Sequence, residues 1–114
     1  MSTPQPDALS RAGPVALALY RDLLAAIAEV GPFAEEIKKT SIHLVRNSAF
    51  LGIHPRKQSL ILTLKSDAPL ASRRIRKSDQ VSRNRFHHEV TLHAASEIDP
   101  ELLGWIREAY ELCG

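Results

Sequence analysis

The apolar residues of this chain change period near Ser41, and that change constrains the fold more than any other feature. Before it, Leu19, Leu23, Ile27 and Val30, joined by Ala16 and Tyr20, follow the i, i+3, i+4 spacing of a helix with one buried stripe. After it the period drops to two, as in pleated structure. Leu60, Leu62 and Leu64 point one way, and Ser59, Ile61, Thr63 and Lys65 point the other. Such alternation belongs to a sheet covered on one side and partly open on the other.

The helix starts near Pro14, whose fixed φ suits a first turn, and ends at Gly31-Pro32. Phe33 to Lys39 reads as a helical turn or two. Strands are expected at Ile42–Arg46, Ala49–His54, Ser59–Lys65 and Arg85–His93, with turns at Asn47-Ser48 and Pro55-Arg56-Lys57. Between the last two strands, 66–84 reads as a long loop with a brief helical turn around Arg73–Ser78. Asp99 is a good N-cap, Pro100 suits the first helical position, and Glu101 complements the positive end of a final helix. Its apolar stripe is Leu102, Trp105, Ile106, Ala109, Tyr110 and Cys113. The expected fold is a two-layer α+β sandwich: a four-stranded antiparallel sheet with an N-terminal and a C-terminal helix packed on the leucine face.

At 114 residues and 44% hydrophobic content, this is one domain, expected over 14–114 after a frayed leader at 1–13. The single cysteine, Cys113, cannot form an internal bridge, which suggests a reducing, cytoplasmic setting. Val15 to Val30 is interrupted by Arg21, Asp22 and Glu29, so no membrane span is expected.

Charge is unevenly placed. The net +2 conceals a block, residues 43–93, with ten Lys/Arg, three Asp/Glu and all five histidines. The flanking segments are both net acidic. Within the block, Arg73, Arg74, Arg76, Lys77, Arg83 and Arg85, with Arg56, Lys57 and His87, form the candidate anion-binding set. Arginine forks match phosphate oxygens, and such binding falls steeply with salt. The plainer alternative is a solvated loop neutralised by Glu101, Glu108 and Glu111 of the last helix. No nucleic-acid-binding motif or row of stacking aromatics accompanies the charge.

The open sheet face is expected to carry His43, Phe50, His54, Ile61 and Glu89, either as a ligand platform or as a dimer interface. His87 and Glu89, at i, i+2, could share a metal with His43 or His54, but surface histidines are more often unliganded. His93 is about 20 Å along the strand from His87, too far to join them. His88 alternates with Phe86, Val90 and Leu92 and reads as a core histidine satisfied by hydrogen bonds. For catalysis there is no Gly-rich phosphate loop, nucleophile elbow or metal-hydrolase helix.

GPFAEEIKKTSIHLVR, FLGIHPRK, RIRKSDQVSRNRFHHEV and ELLGWIREAYEL, in that order, resemble domain-of-unknown-function family 5655. The resemblance runs from about Gly31 to Gly114. It implies a stand-alone or appended α+β domain in bacteria and brings no activity, ligand or catalytic residue with it. The expected function is therefore a non-enzymatic anion-binding module for nucleic acid or a phosphorylated metabolite. Neither a cofactor nor a resident metal is expected. A protein-interaction or homodimerising domain is the alternative, and a metal-dependent enzyme the more distant one.

Overall fold

The computed structural model describes residues 7–114. Asp7 accepts from the backbone N–H groups of Leu9 and Ser10 and so caps a short 3-10 turn, Ala8–Arg11. Ala8 is fully buried and its N–H reaches the Lys38 carbonyl. The leader expected over 1–13 is thus tied to the core from Asp7 onward, and its first six residues lie outside the described ones.

Helix α1 spans Pro14–Ala28 and buries Ala16, Leu19, Tyr20, Leu23 and Ile27, the stripe expected from spacing. Six strands follow: β1 (Ala34–Ile37), β2 (Ile42–Val45), β3 (Ala49–Pro55), β4 (Leu60–Ser66), β5 (Ile75–Ser82) and β6 (Arg85–Leu92). Helix α2, Pro100–Leu112, closes the domain, with Asp99 accepting from the Leu102 N–H as its cap. The sheet is antiparallel throughout in the order β1-β2-β3-β4-β6-β5. Among the described residues, no helix is long and apolar enough to cross a membrane.

Six strands, and not four, correct the expected sheet. The two additional strands are its edges. β1 lies where helical turns were expected and is exposed at every position. β5 replaces the loop and turn expected around Arg73–Ser78, and only Ile75 in it is partly buried. An edge strand with two open sides needs no apolar face, so neither shows the alternation that marks the inner strands.

The inner strands follow the expected alternation on the core side. Ile42, Leu44, Leu51, Ile53, Leu60, Leu62, Leu64, Val90 and Leu92 are buried against Leu102, Ile106, Ala109 and the stripe of α1.

Phe50 departs from that alternation. Leu44 faces Leu51 but Val45 faces Ala49, so Phe50 is the extra residue of a β-bulge. The bulge turns its ring inward, edge-on to Tyr110 at 5.1 Å and to Phe33 at 6.3 Å between centroids. Phe50 is fully buried, so its expected place on the open face is corrected to the core.

His88 is a core histidine, as its face suggested. The Ser66 hydroxyl donates to the Ala68 carbonyl at 2.5 Å, so its oxygen accepts from His88 Nε2 at 2.8 Å. In that tautomer Nδ1 accepts from the Ser78 hydroxyl, also at 2.8 Å. One buried ring therefore ties the end of β4 and the edge strand β5 to β6.

Candidate functional site

The expected basic cluster is not one patch. Arg56 and Lys57 sit in the β3–β4 turn, whereas Arg83 and Arg85 lie at or beside the β5–β6 turn. Pairing of Leu60 with Leu92 and Ser66 with Phe86 puts those turns at opposite ends of the sheet. The seven residues of β4 separate them by about 20 Å. Arg76 falls where the register of β5 slips between Ile75 and Lys77. Lys77 pairs with Asp79 at 3.6 Å on the surface.

Arg74 is committed internally. It donates to Asp99 at 2.7 Å, Glu101 at 3.3 Å and the Glu97 carbonyl at 2.6 Å. Its guanidinium also lies 5.8 Å from the Trp105 ring centroid. The neutralisation by the last helix considered above therefore applies to this arginine. Among the described residues, Arg73, Arg76 and Arg83 make no ion pair, but they are exposed side chains outside any enclosed hollow.

The basic groups that do converge lie on the open face. There, cross-strand pairing makes three rows: Lys65–His87–Asp79; Glu36–His43–Gly52–Thr63–Glu89–Lys77; and His54–Ile61–Thr91. Gly52 interrupts the middle row, leaving no side chain between His43 and Thr63. A hollow of about 330 Å³ opens there, lined by His43, His54, Thr63, Lys65 and His87 together with Ala49, Phe50, Leu51 and Gly52. A second, of about 260 Å³, holds Ser48, Ser82 and Arg85 and shares Lys65 and His87 with the first. A third, of about 110 Å³ beside Glu89, again includes His87. Lys65 and His87 thus stand where these shallow hollows meet, with the Lys65 and Arg85 charges, three histidines and apolar surface around the first two.

The electrostatics are consistent with that placement. Partial burial, then the Lys38, His54 and Lys65 charges, hold the His43 imidazole below its ordinary value, against an opposing pull from Glu36. Partial burial and Lys65 do the same to His87, with Asp79 opposing. Both rings sense the same ammonium group, so an anion seated over Lys65 would relieve repulsion at both.

A metal centre finds no such support. Glu89 and His43 occupy one row but are three strands apart, about 14 Å between backbones. Among the described residues, no three His, Cys, Asp or Glu side chains are placed to hold a metal ion.

His43, His54 and His87 were legible in the sequence as open-face residues. Lys65 and Thr63 were not singled out, although alternation along β4 already put both on that face. The density of arginines around Arg73–Arg85 was the stronger linear signal and pointed elsewhere.

The model of the family described as Domain of unknown function (DUF5655) matches residues 7–113. The chain belongs to that family. No curated protein and no solved structure matches it.

Proposed function

We propose that this member of the DUF5655 family is a non-enzymatic binding domain for a small anionic ligand, such as a phosphorylated metabolite, seated over Lys65 and His87. The observation that carries the reading is the pair of hollows sharing those two residues, with His43, His54 and Arg85 around them. Lys65 supplies a fixed positive charge, Thr63 a hydroxyl hydrogen bond, and the imidazoles hydrogen bonds whose strength rises on protonation. A nucleic acid fits less well. Its backbone calls for a continuous basic stripe, and here the remaining arginines are divided between two ends of the sheet.

The test is calorimetric titration with inorganic phosphate, nucleoside phosphates and short oligonucleotides at pH 6 and pH 8. Lys65→Met should weaken phosphate binding roughly tenfold to a hundredfold, the effect of losing a charge-assisted contact. Gly52→Val gives a second test. Gly52 lacks positive φ, and a Cβ there meets nothing closer than the Thr63 Cβ at 3.5 Å, so the backbone has room for a β-carbon, the valine methyls occupy the hollow, and a circular-dichroism melt checks the fold. Arg56→Gln, at the far end, should bind like wild type. Phosphate affinity indifferent to both Lys65→Met and Gly52→Val, or tight binding confined to oligonucleotides, would overturn the proposal.

A further inference from the structure

The exposed edge β5 is complementary to itself. Along its regular stretch, Lys77 faces Glu89 and Asp79 faces His87, so both project from the open face, while Ser78 faces His88 on the core side. A two-fold axis perpendicular to the sheet keeps the faces of two copies matched only when it passes through a residue. With the axis at Ser78, Lys77 of each copy lies opposite Asp79 of the other, twice. Axes at Lys77 or Asp79 instead set like charges against each other. The existing Lys77–Asp79 contact of 3.6 Å then becomes one side of a square of alternating charges.

On the other edge, two-fold pairing of β1 centred on Glu35 or Glu36 puts that carboxylate opposite itself, which opposes association in those registers.

We infer that two copies of this chain pair antiparallel through β5, centred on Ser78, joining their sheets into one twelve-stranded sheet with both open faces on the same side. Register slips next to Arg76 and Val81 bend the ends of β5 and confine the regular ladder to Lys77–Gln80. The dimer is consequently weak and concentration-dependent.

Sedimentation equilibrium from 10 µM to roughly 1 mM should show a monomer–dimer equilibrium for the wild-type chain. Lys77→Asp and Asp79→Lys should each weaken the dimer about tenfold or more, because symmetry converts two attractive contacts into repulsive ones. The double variant Lys77→Asp/Asp79→Lys should restore it to within about threefold of wild type. Circular-dichroism melts check folding: both side chains are largely exposed, at 65% and 60%, but Lys77→Asp sets a carboxylate opposite Glu89 and Asp79→Lys an ammonium opposite His87 within each copy. A strictly monomeric wild type, single variants that dimerise normally, a swap that fails to restore, or growth beyond a dimer would each overturn the inference.

Discussion

Arg74→Ala discriminates sharply between a ligand-binding arginine and a structural one. The side chain is 21% exposed and holds the turn ahead of β5 against the start of α2 through Asp99, Glu101 and the Glu97 carbonyl. Part-buried hydrogen bonds to charged groups contribute about 1.5–3 kcal/mol. Asp99 and Glu101 are 39% and 51% exposed, so water recovers part of what the truncation removes. A net loss of about 2 kcal/mol follows, lowering the melting temperature by roughly 10 °C in a domain of this size. Asp99→Asn keeps the helix cap but removes the charge, and a double-mutant cycle with Arg74→Ala should give a coupling of about 1 kcal/mol. The hydrogen bond from Leu102 and then Arg74 hold the Asp99 carboxyl below its ordinary range. Its contribution is therefore present above the unfolded pKa and should be lost only as acid reaches the lower folded value. Thermal unfolding read by circular dichroism, alongside phosphate titration, decides the matter. An Arg74→Ala protein that melts with wild type but binds phosphate poorly would refute the reasoning.

Three further outcomes follow from the packing and the charges. Phe50→Ala should cost about 3–5 kcal/mol in chemical unfolding, since the bulge commits the ring to the aromatic cluster with Phe33 and Tyr110; a loss below 1 kcal/mol would return Phe50 to the open face. His88→Leu should destabilise by about 2 kcal/mol and speed amide exchange chiefly in β5, because both hydroxyl contacts of the ring vanish; unchanged β5 protection would contradict this. His43 and His87 are both held below the ordinary histidine value, so under about pH 6.5 the unfolded chain binds more protons and stability rises with pH across that window. The His43→Gln/His87→Gln protein should show a flatter profile there, and identical slopes would count against the partial burial and neighbouring charges that hold both rings down.

The buried half of the fold was legible because burial leaves a period in the sequence. Leu60, Leu62 and Leu64 alternate, Leu19, Leu23 and Ile27 recur helically, and Asp99-Pro100 marks a helix start by its backbone chemistry. The edges left no such trace. Ala34–Ile37 and Ile75–Ser82 are held mainly by ladder hydrogen bonds and the His88–Ser78 contact, which place few demands on the exposed side chains. Phe50 was misplaced because a bulge breaks parity, and parity was the rule used to assign faces. The site followed the same division. Its histidines were identified by face, but the convergence of Lys65 with His87 depends on β4 pairing with β6 across a long connection. Arg74 shows the converse, since charge density along the chain does not reveal that Glu97, Asp99 and Glu101, around the start of α2, supply three oxygens to one guanidinium.

Nuclear magnetic resonance titration of the histidine side chains, with and without inorganic phosphate, tests the account most directly. Without phosphate, His43 and His87 should titrate below the ordinary histidine value. With it, both should move upward together as the anion offsets Lys65, and Lys65→Met should abolish that movement. Curves for His43 and His87 unaltered by saturating phosphate, or altered equally without Lys65, would contradict an anion seated at the centre of the open face.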